Sequence, residues 1–303
     1  MKIYVAGHNG MVGRAICKVL KKNGYKDLIF KERSDLDLTD SNEVKKFFKS
    51  EKPNVVINAA AKVGGILANS TYPYEFLLEN MQTQNNLIQY SLENNVQKFI
   101  FLGSSCVYPK LANQPLKEEY LLSGYLEETN YAYAIAKISG IKLCEAIRKQ
   151  FNKNYFSIMP CNLYGAYDNF DLKSSHVLPA MIRKFHDSKI HNKDINLWGS
   201  GTPLREFLYV EDLAESIVFL INNKTNDFMY NIGSGKEISI KNLALLVKKI
   251  VGYDGNIYWD QTNPDGTPRK IMDSSKINKL GWYPKINLES GIDLTYNWFL
   301  ENF

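Results

Sequence analysis

Through the first half of the chain, short unbroken apolar runs alternate with longer amphipathic stretches. KIYVAG (2–7), DLIFK (27–31), NVVINAA (54–60), KFIFLG (98–103) and YFSIMP (155–160) read as strands buried on both faces. Between them, MVGRAICKVLKKNG, NEVKKFFKSEK, YPYEFLLENMQTQNNLIQYSLENN and NYAYAIAKISGIKLCEAIRKQF carry apolar residues at helical spacing. Strand and helix in alternation predict an α/β fold, a doubly wound parallel sheet with helices on both faces.

After Asn162 the rhythm breaks. Short helices, isolated strands (FMYNIG, NIYWD) and turns such as WGSGTP and NPDGTP take over. The expected division is a dinucleotide-binding domain over 1–161 and a smaller C-terminal α/β substrate-binding lobe over 162–303, interleaved with the last elements of the sheet.

Composition narrows the class. The chain has 303 residues, 45% of them hydrophobic, enough for a large core. No window approaches the roughly 18 apolar residues of a membrane span. MKIYVAGHNG runs straight into a strand pattern and does not read as a signal peptide. A soluble, cytoplasmic protein with no membrane partner is expected. The net charge of +5 comes from scattered Lys and Arg, with no basic arm to suggest a nucleic-acid partner. Cys17, Cys106, Cys144 and Cys161 form no CxxC, and HExxH is absent, so neither a metal site nor a disulfide framework is expected. Cys17 and Cys144 fall on helical patterns and read as small buried hydrophobes.

The first chemical motif is Gly7-x-x-Gly10-x-x-Gly13, directly after the first strand. Gly7 permits the tight turn, Gly10 lets a pyrophosphate approach the backbone, and Gly13 lets helix pack on strand. Met11 and Val12 open a helix whose free N–H groups face the phosphates. This is a Rossmann-type site, and its GxxGxxG spacing points to the short-chain dehydrogenase/reductase variant. His8 reads as a loop-stabilising residue. The second strand ends in Phe30-Lys31-Glu32-Arg33, where two cations flank one acid. An acid there holds a ribose 2′-hydroxyl and a cation holds a 2′-phosphate. The balance favours NADP(H), with Arg33 on the phosphate.

Tyr133 and Lys137 lie four residues apart on one helical face. The cation is expected to lower the phenol pKa and to hold cofactor ribose, leaving Tyr133 as an acid/base. The fourth strand delivers Leu102, Gly103 and Ser104 to the edge where open α/β sheets bind ligands. The Ser104 hydroxyl can polarise a substrate carbonyl. If the strand stays extended, Cys106 projects to the same side as Ser104, and Ser105 faces away into a structural role. A thiol near a sugar ketone can remove an acidified C–H proton; it can equally be a packed cysteine.

The motifs AGHNGMVG, NAAAKVGGILANSTYP, FLGSSCVYPKLANQP, YAIAKISGIKLCE, NLYGAYDNF, SSHVLPA, WGSGTPLREFLYVEDLA and NPDGTPRK together resemble the GDP-L-fucose synthase family of extended short-chain dehydrogenases, over nearly the whole chain. The resemblance implies reduction of the C4 ketone of a GDP-4-keto-6-deoxy sugar by NADPH, with epimerisation at C3 and C5 in the same site. Tyr133 would protonate the 4-oxygen, Lys137 would tune it, and Ser104 would polarise the carbonyl. Cys106 would be the epimerisation base and His176 the matching acid, beside the cofactor. Pro160, Cys161, Asn162 and Leu163 would pass near the nicotinamide. Lys184, Trp198, Arg205 and Asp265 would hold the GDP-sugar. A homodimer through helices 72–93 and 130–151 is also implied.

The chain departs from the family pattern at Asn9, where arginine is common, at Glu32, and at Cys161, which replaces a threonine. Ala166-Tyr167 stands where Pro-His is usual, and DLKSSHV also differs. These changes leave three alternatives: a C4 reductase of a related GDP-4-keto sugar such as a heptose, a nucleotide-sugar 4-epimerase or 4,6-dehydratase holding NAD, and a sensor that binds NADPH and nucleotide sugar without turnover.

Overall fold

A computed structural model describes residues 1–303 except Lys173, Asn263 and Pro264, and leaves the Ile66 side chain undescribed. The chain opens with β1 (Ile3–Ala6), α1 (Met11–Lys22), β2 (Leu28–Ile29), α2 (Ser41–Glu51) and β3 (Val55–Asn58). A short α3 (Ile66–Thr71) leads into α4 (Pro73–Glu93), then β4 (Lys98–Leu102), α5 (Tyr131–Phe151) and β5 (Asn154–Pro160). Each expected strand is present; the first four are trimmed where glycine or the loop chemistry begins, and the fifth starts one residue earlier, at Asn154.

These strands are parallel and lie in the order β2-β1-β3-β4-β5, continued by a later strand. Chain direction along the sheet reverses at β1. Right-handed crossovers therefore put α1 on one face and α2, α4 and α5 on the other. The same reversal opens a crevice beyond the C-terminal ends of β1 and β3. The strand interiors Ile3, Val5, Val56, Ile57, Phe99, Ile100, Phe101, Phe156 and Ile158 are fully or almost fully buried, as continuous apolar runs require.

Beyond β5 come β6 (Asn162–Tyr164), α6 (Val177–His191), β7 (Ile195–Trp198), β8 (Leu204–Tyr209) and α7 (Val210–Asn222). They are followed by β9 (Met229–Ile232), β10 (Glu237–Ser239), α8 (Ile240–Val251), β11 (Ile257–Asp260), β12 (Arg269–Lys270), α9 (Ser275–Lys279) and α10 (Leu288–Asn302). FMYNIG, expected as an isolated strand, holds β9, which pairs in parallel with β5 as the sixth strand of the main sheet. Its four residues are all buried, too few to show a period, and the one polar residue among them, Asn231, donates to the Leu116 carbonyl at 2.8 Å. The helices here are also longer than expected: α6 and α10 have 15 residues each.

β8 is central to a smaller sheet, with β10 antiparallel to it and β12 and β6 parallel. β7 and β11 form a separate parallel pair. A second apolar core gathers Phe170, Phe185, Leu197, Phe207, Val247 and Phe299, distinct from the core of the main sheet. Among the described residues no helix is long and apolar enough to cross a membrane.

Candidate active site

The glycine loop has the form its sequence requires. Gly7 turns at φ +79°, and a Cβ there would lie 2.7 Å from the Ala60 backbone. A Cβ on Gly13 would lie 2.1 Å from the Gly7 carbonyl oxygen, while Gly10 faces open space apart from that oxygen at 3.6 Å. α1 follows with no side-chain N-cap and no acid in its first turn. The N–H groups of its first turn, around Met11, Val12 and Gly13, are thus left for an outside anion. A dinucleotide diphosphate fits this cradle. His8 does stabilise the loop: its ring lies 5.3 Å from that of Phe30, and Nε2 lies 3.3 Å from Glu32 Oε1. Arg33 is exposed and has no ion-pair partner among the described residues.

β4 ends at Leu102, and the chain does not stay extended beyond Ser104, contrary to the sequence expectation. Ser104 Oγ accepts from the Cys106 N–H at 3.2 Å, and this cap starts a single 3-10 turn over Ser105–Val107. Ser104 and Cys106 still converge, because the turn carries Cys106 back toward Tyr133. Ser104 lies close enough to the Tyr133 phenol to favour its charged form, and Cys106 lies close enough for a charge on it to act on the phenol. Ser105 is buried, in the structural role expected of it. Gly103 has no room for a side chain: a Cβ would meet Met159 Sδ at 2.6 Å.

Lys137 is buried and donates to the Leu102 carbonyl at 2.8 Å, with its Nζ 5.7 Å from the centre of the Tyr133 ring. Desolvation brings its pKa down to about 7. The expected lowering of the Tyr133 pKa is not found. Burial pushes the phenol above its ordinary value, a charge on Cys106 would add to this, and the nearby Ser104 opposes it. The cation sits beside the ring rather than at the hydroxyl, so desolvation wins.

Cys106 has a neighbour the sequence reading did not assign. Lys270 Nζ stands 3.8 Å from its sulfur. A cavity of about 50 Å³ lies beside them, walled also by Asn130, Glu127 and Gln114. Lys270 lies inside NPDGTPRK, but 164 residues from Cys106 no spacing rule could join the two. Cys144 is buried as expected, whereas Cys17 is only partly so.

His176 starts α6 as its N-cap residue. It is exposed, yet desolvation by the surrounding protein holds its imidazole below the ordinary value. It makes no hydrogen bond to Cys106 or Tyr133 among the described residues. The segment before it docks on the β3 side, where the Gly65 N–H donates to the Ser174 carbonyl at 3.3 Å.

Pro160 ends β5, and Asn162 and Leu163 open β6. The Cys161 N–H donates to Ile232 on β9, and its thiol is buried and pushed up by desolvation. The Asn162 amide donates to the Glu206 carbonyl at 2.7 Å. Glu206 was also missed. Its fully buried carboxylate accepts from the Gly235 and Met272 N–H groups at 2.7 and 2.8 Å, and burial raises its pKa to about 7. It ties β8 to the turn after β9 and to the strand carrying Lys270.

The four residues matched to the GDP-sugar form two neighbouring groups. Lys184 Nζ lies 5.5 Å from the centre of the largely exposed Trp198 ring. Asp265 accepts from the Ser200 N–H at 3.0 Å and the Ser200 hydroxyl at 2.6 Å, and these bonds hold its carboxyl below the usual range. Arg205 is close enough to share its charge with Asp265. Asp265 is thus already committed to Ser200, two residues from Trp198.

Residues 3–233 match the profile of the NAD dependent epimerase/dehydratase family. Putative GDP-L-fucose synthase 2 of Arabidopsis thaliana is 54% identical over 302 residues, 99% of this chain and 92% of the relative. GDP-L-fucose synthase of Escherichia coli (strain K12) is 48% identical over 311 residues, 99% and 97% of the two chains. Among solved structures, MlghC, a GDP-mannoheptose C4 reductase from Campylobacter jejuni with NADP bound, superposes with a TM-score of 0.90 at 38% identity, over 99% of this chain and 98% of that one. The chain belongs to the NAD dependent epimerase/dehydratase family and, within it, to the GDP-L-fucose synthase family.

Proposed function

We propose that this protein is an NADPH-dependent epimerase/reductase that converts a GDP-4-keto-6-deoxy sugar to its 3,5-epimerised alcohol. The observation that carries the reading is the meeting of two chemistries at one point: Ser104 beside Tyr133, and Cys106 close to both Tyr133 and Lys270. One group can protonate an oxygen; the other can take a proton from carbon.

The glycine loop, Gly7 to Gly13, would hold the dinucleotide diphosphate. Leu102, Gly103 and Pro160 to Leu163 would flank the nicotinamide, and Lys137 would hold the ribose. The bound nicotinamide supplies hydride to C4. Ser104 donates to the C4 oxygen and Tyr133 gives it a proton, an acid kept neutral by its burial. At C3 and at C5, Cys106 takes the carbon-bound proton onto its sulfur and His176 gives a solvent-derived proton on the opposite ring face. Lys184, Trp198, Arg205 and Asp265 hold the GDP-sugar, the cations facing its diphosphate. In this reading residues 1–161 form the cofactor domain and residues 162–303 most of the substrate lobe. α4 and α5, packed on each other with Tyr74, Leu78, Tyr131 and Phe151 left exposed, would form a homodimer contact. The site would work in the cytoplasm.

Incubation with GDP-4-keto-6-deoxymannose and NADPH in D2O tests this. NADPH oxidation with deuterium at C3 and C5 of the product is expected. Oxidation without deuterium supports the second reading, a C4 reductase of a related GDP-4-keto sugar such as a heptose. Cofactor binding with no turnover of any GDP-4-keto sugar would leave the NAD-holding epimerase or dehydratase and the sensor.

A further inference from the structure

Next to the glycine loop, the protein has placed a carboxylate of its own. β2 ends at Ile29, and the following residues pass beside His8 and Asn9. Glu32 Oε2 accepts from Asn9 Nδ2 at 2.5 Å, and Oε1 lies 3.3 Å from His8 Nε2. These partners, with Arg14 at longer range, hold the carboxyl below its usual range, so it is ionised at neutral pH. Of the two flanking cations, Lys31 turns away to Glu51 at 3.7 Å. Arg33 makes no ion pair within 4 Å among the described residues, though its charge reaches Asp37 at longer range. The Asn9 side chain, a neutral amide, gives its donor to Glu32.

This arrangement treats two cofactors differently. A ribose 2′-hydroxyl is a donor and suits a fixed carboxylate. A 2′-phosphate is a dianion that can only accept, and it meets repulsion there. Resting on the reading of the loop as a dinucleotide site, we propose that Glu32 is a specificity-determining residue at the adenosine ribose and that it lets NADH bind alongside NADPH. With NADH, the carboxylate stays on Asn9 and His8 and accepts from the 2′-hydroxyl. With NADPH, it must leave them, and Arg33 takes the phosphate.

Titration of the full-length protein with each cofactor, without sugar and read by quenching of protein fluorescence, tests this apart from turnover. Parent dissociation constants for NADPH and NADH within about tenfold of each other are expected, the scale of one charge-assisted hydrogen bond. Glu32→Gln keeps the shape and removes the charge. It should tighten NADPH by roughly threefold to tenfold and weaken NADH, while Arg33→Ala weakens NADPH alone. A parent preference for NADPH beyond about a hundredfold, or a Glu32→Gln change equal for both cofactors, overturns the proposal. Binding of neither cofactor overturns the dinucleotide reading as well.

Discussion

Lys270 brings its ammonium to within 3.8 Å of the Cys106 sulfur, from a strand in the C-terminal half of the chain. A cation at that distance attracts negative charge on sulfur. Lys270→Met is therefore expected to slow deuterium entry at C3 and C5 by roughly tenfold or more, and C4 reduction by less. Lys270→Arg should restore part of the exchange, since charge and not shape is at stake. Equal exchange in parent and Lys270→Met would reduce the contact to packing.

Tyr133→Phe removes the proposed acid and leaves the ring. NADPH oxidation should fall by about 10²- to 10⁴-fold, the range of general acid–base catalysis. Cofactor affinity should stay within about twofold of the parent, because Lys137 keeps its bond to Leu102. Activity near the parent value would remove Tyr133 from the chemistry.

Those two variants also mark how far the chain can be read without coordinates. Tyr133 and Lys137 are one helical turn apart, and Gly7 to Gly13 span one tight turn and the first turn of α1, so local spacing carries them. The Lys270–Cys106 and Glu32–Asn9 contacts join residues 164 and 23 positions apart, and only the assembled sheets bring them together. The 3-10 turn at Ser104 was hidden for another reason: a serine side chain competes with strand hydrogen bonding, and composition does not say which wins. Met229–Ile232 was legible as a strand, but nothing in four residues says which sheet they join.

Asp168 offers a test in pH. One of its carboxylate oxygens is buried without a hydrogen-bond partner, and desolvation raises its pKa from 3.8 to about 7. Between these values the folded chain holds a proton that the unfolded chain has released. Its contribution to stability is full below about 4 and is lost as pH rises through about 7. Asp168→Asn carries no charge at any pH. The parent Tm should drop between pH 5 and pH 8 by roughly 2–4 °C more than that of the variant, measured by calorimetry. Parallel curves would mean that Asp168 is ionised throughout in the folded protein.

Two glycines separate the needs of the fold from those of the cradle. At Gly24, φ is +83° but a Cβ would meet nothing within 4 Å. Gly24→Ala therefore strains only its own backbone and should cost about 1 kcal/mol, with NADPH binding unchanged. At Gly13 the obstacle is the Gly7 carbonyl oxygen, 2.1 Å from the added carbon, with the His8 Cα at 2.7 Å. Neither is the movable tip of a side chain. Relief must come from lifting α1 off β1 or from pushing the loop outward, and either re-aims the N–H groups of the first turn. Gly13→Ala should thus lower Tm by more than Gly24→Ala, since overpacking of this kind costs about 1–3 kcal/mol. It should also weaken NADPH by roughly tenfold or more in the same fluorescence titration, the loss of one or two phosphate hydrogen bonds. A Gly13→Ala protein that is less stable but binds NADPH like the parent would mean that the diphosphate is held elsewhere, and that the tight approach of helix to strand serves the fold alone.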